Sequence, residues 1–135
     1  MFDVDINPEQ LEKFTQNSNQ GEFVMLNLLK FKPEGGKEYY ARYLAESSPF
    51  AKAIGAGAEY FGLPQELLIG RDEWDVVMMV KYPSRQAFLD LISNPGYLET
   101  HKWREKGVER SVLYPSTPAS VQDFVQQTLA AQEPA

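Results

Sequence analysis

The sequence predicts an α+β fold, an antiparallel sheet with helices packed against it, and three observations carry that prediction. The segments Phe23 to Phe31 and Trp74 to Tyr82 are apolar on both parities, the mark of strands covered on both faces. Asn7-Pro8-Glu9 opens a helix and Asn94-Pro95 restarts one. After an extra first helix, the elements run strand, helix, strand, strand, helix pair, strand. That order is one split βαβ unit, the ferredoxin-like arrangement.

In the first helix Asn7 is the N-cap, Pro8 takes the first helical position and Glu9 places an acid beside it. Leu11 and Phe14 supply its apolar edge, and the run from Asn17 to Gly21 ends it. Glu22 to Phe31 is the first strand, broken by Pro33 and Gly35-Gly36. Lys37 to Glu46 is helical, with Tyr40, Tyr43 and Leu44 on one stripe; Ser47-Ser48-Pro49 interrupts it before helix resumes to Ile54. Gly55 and Gly57 release the chain into an irregular strand, Ala58 to Ile69, broken at Gly62-Leu63-Pro64. Gly70-Arg71-Asp72-Glu73 reads as a hairpin turn leading to the strand Trp74 to Tyr82. Ser84 caps the next helix, which buries Phe88, Leu89 and Ile92, with Pro83 stapled against Phe88. The Pro95 helix runs to about Gly107, and Glu109 to Tyr114 is a last short strand. Pro115 and Pro118 bracket a linker to a terminal helix, Val121 to Leu129.

The 135 residues read as one domain without internal repeats. It comprises an N-terminal helical extension (1–20), a ferredoxin-like core (22–114) and a C-terminal helical tail (115–135). Such a length buries roughly two thirds of its unfolded surface, enough for a core without staples. The absence of cysteine removes disulfides, thiolate nucleophiles and cysteine-ligated metals. Thirteen Lys and Arg against nineteen Asp and Glu give −6, concentrated near the two ends. An acidic chain without a basic stripe is a poor partner for nucleic acid or an anionic membrane surface. No run of apolar residues is long enough to span a bilayer, and the first residues lack the pattern of a signal peptide. Cytoplasmic residence is the default expectation.

The helices of a split βαβ unit cover one sheet face, yet both strong strands are apolar on two. The bare face therefore calls for a cover, and the terminal helices are short and polar, with Gln122, Gln126 and Gln127. Pairing with the same face of a second subunit is favoured, giving a twofold, closed dimeric α+β barrel with the terminal segments as outer clasps. Such a homodimer buries on the order of 800 Å² per subunit.

Val24-Met25-Leu26-Asn27-Leu28-Leu29-Lys30-Phe31, Trp74-Asp75-Val76-Val77, Tyr82-Pro83-Ser84-Arg85-Gln86-Ala87-Phe88 and Asn94-Pro95-Gly96-Tyr97 together resemble the family catalogued as domain of unknown function 1330. The resemblance spans residues 22 to 114, and the tyrosine–proline–serine segment followed by a helical phenylalanine is its most specific part. It implies membership of the dimeric α+β barrel group, which includes cofactor-free monooxygenases, isomerases, haem enzymes and small-ligand sensors. It carries no catalytic residue across. Gln86 and Gly96 depart from the family pattern, which commonly has an acid at each place.

Candidate chemistry centres on His101, the one side chain whose ordinary titration falls near neutrality. On the Pro95 helix it shares a face with Tyr97, Leu98, Arg104 and Glu105. Glu105 or Tyr97 would orient it as a general base, and Arg104 would hold an anionic or enolate oxygen. The competing reading is a half-exposed histidine making a surface hydrogen bond. Asn27, polar within an apolar strand, would bind a ligand carbonyl or be satisfied by nearby backbone. Trp74 and Tyr82, with Met78 and Met79, would wall an apolar ligand, though packing is the commoner use of such residues. Asp75 is expected to pair with Arg71, Lys81 or Arg110. No metal is expected, because His101 with Glu105 or Glu99 gives too few ligands for a closed site unless a partner subunit adds more. No cofactor is expected either: one axial imidazole would suffice for haem, but nothing else in the sequence points to it.

Two readings follow. One is a homodimeric barrel with a pocket for a small apolar or anionic metabolite and cofactor-independent acid–base chemistry of isomerase or monooxygenase type. The other is a non-catalytic ligand-binding or structural dimer module.

Overall fold

A computed structural model of the protein describes residues 4–132. In chain order the elements are α1 (Pro8–Gln16), β1 (Phe23–Phe31), α2 (Gly36–Ala53), β2 (Gly57–Gly62) and β3 (Val76–Tyr82). They continue with α3 (Arg85–Ser93), α4 (Pro95–Gly107), β4 (Val108–Ser116) and α5 (Val121–Ala130). The strands form an antiparallel sheet in the order β2-β3-β1-β4. This is the ferredoxin-like fold that the element order predicts.

Register decides which side chains meet the helices. Phe23 lies opposite Tyr82, Met25 opposite Val80 and Leu29 opposite Val76, so these residues share the helix-covered face. Phe23, Met25 and Tyr82 are buried with Phe88 and Leu91 of α3 and Tyr97 of α4. Leu29, Val76 and Met78 are buried with Tyr40 of α2 and Val108. The opposite face carries Val24, Leu26 and Leu28 beside Val77, Met79, Val112 and Tyr114. Its β1 and β3 residues are only half-buried, and Tyr114 is 66% exposed. Helix α5 buries none of its residues and does not cover that face.

Caps follow the sequence closely. Asn7 Oδ1 accepts from the backbone N–H groups of Glu9 and Gln10 at 2.9 and 3.1 Å. Ser84 Oγ accepts from Ala87 N at 3.0 Å, and Asn94 Oδ1 from Gly96 N at 2.8 Å.

Four expectations need correction. Helix α2 runs unbroken through Pro49, which is exposed. The inward stripe Tyr40, Tyr43, Leu44, Ser47, Phe50, Ala51 keeps helical spacing across the proline. Packing of that stripe offsets the ~3 kcal/mol that an interior proline costs. The strand after Gly57 ends at Gly62, and residues 63–75 form an irregular connection in place of a further strand and a tight hairpin turn. Leu68 and Ile69 there are 92% and 94% exposed, so no sheet neighbour claims them. Strand β3 starts at Val76, although Asp75 N still donates to Leu29 O at 2.7 Å. In α3 the fully buried pair is Phe88 and Leu91, three apart, while Leu89 and Ile92 are half-buried at the edges of that stripe.

Candidate functional site

Helix α4 positions the strongest group of polar side chains. Its inner stripe, Tyr97, Thr100, Arg104 and Gly107, is buried, which turns His101 and Glu105 toward the helix flank one turn apart. Arg104 is only 8% exposed. Its guanidinium donates to the carbonyl of Val4 and, at 3.1 Å, to Ser111 Oγ of β4. These bonds satisfy a buried cation and fasten the residues before α1 against α4.

Fastening Val4 brings Asp5 to His101. Asp5 Oδ1 lies 2.9 Å from His101 Nε2, and Glu105 Oε1 lies 3.5 Å from the same nitrogen. The histidine side chain is 24% exposed, and the two carboxylates are more open. Both carboxylates line a cleft of about 690 Å³ that also presents Glu34, Glu109 and Lys32. Lys32 Nζ donates to the main-chain carbonyl of Glu105 at 3.1 Å. Four carboxylates against one ammonium make the cleft electronegative. The arrangement can hold a protonated imidazole, orient a neutral one, or offer one nitrogen and two oxygen donors to a cation.

The other predicted residues are placed as follows. The ring of Tyr97 lies 6.4 Å from that of His101, but its hydroxyl pairs with Tyr43 Oη at 2.7 Å. Burial, reinforced by Tyr43, pushes the Tyr97 phenol well above the usual tyrosine range. Asn27 faces the helices, and its amide donates to the carbonyls of Met25 at 3.1 Å and Met78 at 3.5 Å. Tyr82 is buried, stacks on Phe23 at 5.3 Å, and has its phenol raised by burial. Trp74 is half-buried before β3, with the Arg110 guanidinium 4.7 Å from its ring centroid. The structure thus gathers His101, Tyr97 and Arg104 along α4 and leaves Asn27, Tyr82 and Trp74 in other surroundings. Asp75 accepts from Phe31 N at 2.8 Å and pairs with Lys30 at 3.6 Å, instead of the partners expected; Arg110 pairs with Asp72 at 2.8 Å.

Asp5 is the residue that sequence reasoning missed. It stands 96 positions from His101, and no local motif links the two. Asp5 joins His101 and Glu105 as a third side chain with a possible ligand atom, the three atoms all within 4.8 Å of one another. Among the described residues no helix is long and apolar enough to cross a membrane.

No family model matches the chain, and no curated protein matches it. Among solved structures, RPA0582 of Rhodopseudomonas palustris, described as a protein of unknown function, is 32% identical with a TM-score of 0.85. That match covers 89% of this chain and 99% of the other. SnoaB, a cofactor-independent oxygenase from Streptomyces nogalater, is 17% identical with a TM-score of 0.53, over 75% of this chain and 96% of its own. A dimeric protein of unknown function with a ferredoxin-like fold, from Bacteroides fragilis, is 10% identical with a TM-score of 0.54, over 73% and 98%. The last two likenesses concern the fold.

Proposed function

The chain belongs to the family of the Rhodopseudomonas palustris protein RPA0582, and on that premise we propose a homodimer that binds a small metabolite beside His101 and moves a proton on it. The observation that carries this reading is the 2.9 Å contact of His101 Nε2 with Asp5 Oδ1 at the edge of the cleft. With Asp5 Oδ1 bonded at Nε2, Nδ1 is the ring nitrogen left to take the substrate's proton. Removal of a proton next to a carbonyl and its return at another carbon is an isomerisation that needs no cofactor. SnoaB, described as a cofactor-independent oxygenase, is an instance of this fold with cofactor-free chemistry.

Of the two ligand classes expected, the four carboxylates facing the cleft weigh against an anion and leave the neutral metabolite. Arg104 already serves Val4 and Ser111, so in this reading it is a positioning residue for Asp5. The homodimer is supported by the uncovered apolar sheet face and by the Bacteroides fragilis neighbour described as dimeric. One domain over residues 1–135, cytoplasmic residence and the resemblance to domain of unknown function 1330 belong to the same proposal. A non-catalytic dimer module is favoured by one observation, the internal bonding of the Asn27 amide; the open cleft lined by Asp5 and Glu105, the two partners of His101, weighs against it.

Native mass spectrometry of the untagged protein, followed by assay of the His101→Ala variant on the compound found, tests the proposal. A dimer carrying a passenger molecule, with turnover lost in the variant, is expected. A monomer overturns the assembly, and unchanged turnover overturns the role of His101.

A further inference from the structure

We propose that Asp5, His101 and Glu105 form a binding site for a divalent transition-metal ion. The three side chains each offer one ligand atom, and these atoms all lie within 4.8 Å of one another. Among the described residues no other group of three such donors converges in this way. His101 Nε2 lies 2.9 Å from one carboxylate oxygen and 3.5 Å from the other. For an ion held at about 2.1 Å from each donor, those separations subtend angles of about 90° and about 110°. Both fall within the range of four- to six-coordinate sites. Two donors held at about 2.1 Å from one ion lie at most about 4.2 Å apart, so the two carboxylates close on the ion by side-chain rotation, which their exposure permits.

Charge and donor type agree with the geometry. Two carboxylates neutralise a dication, and Glu34 and Glu109 on the cleft add to the negative potential. One imidazole with two carboxylate oxygens suits zinc, manganese, iron or cobalt better than magnesium or calcium, which take oxygen alone. Three protein ligands leave coordination positions for water or a ligand on the cleft side. The opposing charge is Lys32, whose ammonium is bonded to the Glu105 carbonyl.

The backbone brings the three side chains together before an ion arrives. His101 and Glu105 sit one turn apart on α4, and Asp5 follows the residue whose carbonyl Arg104 holds. The metal site stands without the acid–base reading; only one consequence rests on that reading. The consequence is one of access: an ion on Nε2 and a metabolite beside His101 would share the same side of the cleft, where Asp5 and Glu105 lie.

The test is isothermal titration of the untagged, chelator-treated full chain with zinc or manganese chloride, together with ¹⁵N spectra of its single histidine. One ion per chain and a shift of the imidazole Nε2 resonance are expected. Asp5→Asn and Glu105→Gln should each weaken binding at least about tenfold, and His101→Ala should abolish it. Glu34→Gln, on the cleft but outside the trio, should change affinity less than about threefold. Circular dichroism melts of each variant separate lost ligands from lost folding. An unmoved histidine resonance at saturating zinc overturns the site, as does binding that survives Asp5→Asn and Glu105→Gln unchanged. Neither outcome depends on turnover, so failure of the acid–base reading leaves this result standing.

Discussion

Gly36, at the start of α2, and Gly107, at the end of α4, meet backbone to backbone: a Cβ on either would lie 2.6 Å from the carbonyl oxygen of the other. Gly107 O also accepts from Lys32 N at 2.8 Å, so the two helices and the end of β1 are joined at one point. A methyl group there cannot be absorbed by a side chain swinging away. Gly107→Ala is expected to destabilise the protein by about 1–3 kcal/mol, read as a lower urea midpoint at unchanged slope. Gly57→Ala, where nothing lies within 4 Å of the added carbon, serves as the control and should shift the midpoint little.

The hydroxyls of Tyr43 and Tyr97 partner each other between α2 and α4. Tyr43→Phe or Tyr97→Phe alone leaves the other hydroxyl without that partner, a loss of about 1–3 kcal/mol. The double replacement removes both groups together and should cost clearly less than the sum. A double-mutant cycle by chemical denaturation measures the difference, and additive losses would contradict the pairing.

Alkaline pH should unfold the protein through its buried phenols. Tyr40, Tyr82 and Tyr97 are all raised above the ordinary tyrosine range, chiefly by burial. Below about pH 10 both folded and unfolded chains keep these protons, and stability is unaffected. Above it the unfolded chain ionises first, so stability falls as pH rises, by up to about 4 kcal/mol per pH unit for three phenols. Tyrosinate absorbance near 295 nm should rise in two stages, the second coinciding with loss of the helical circular dichroism signal. A single stage with the helices intact would contradict their burial.

Charge placed on the uncovered sheet face should separate the subunits. Leu28→Asp at its centre and Tyr114→Asp nearer its edge both put a carboxylate into the proposed interface. Sedimentation velocity should show a dimer for the parent and a monomer for each variant. Tyr114 is already mostly exposed, so its replacement should leave the monomer folded. A dimer that survives both changes would place the interface elsewhere.

The fold was legible where local chemistry and tertiary demand coincide. Strands β1 and β3 announced themselves because Val24, Leu26 and Leu28 are as apolar as Phe23, Met25 and Leu29. Asn7, Ser84 and Asn94 marked helix starts because their side chains close free N–H groups. Pro49 misled, since its ring lies on the solvent face of a helix whose opposite face is packed throughout. Leu67, Leu68 and Ile69 misled in the other direction, because apolar residues suggested a strand that no neighbour completes. Within the candidate site, His101 and Glu105 could be read from their helical spacing. Asp5 could not, because its position depends on a bond between Arg104 and a main-chain carbonyl 100 residues away.

The pairing of β1 with β4 also sets a timetable. Val24 lies opposite Ser116, so β1 gains its last neighbour only once synthesis has passed residue 116. Its other neighbour, β3, begins only at Val76. Throughout synthesis up to that point β1 keeps an apolar edge without a ladder, exposed to any other nascent chain. Sheet closure at such sequence separations is slow relative to helix formation, because the loop-closure entropy comes before the contacts that offset it.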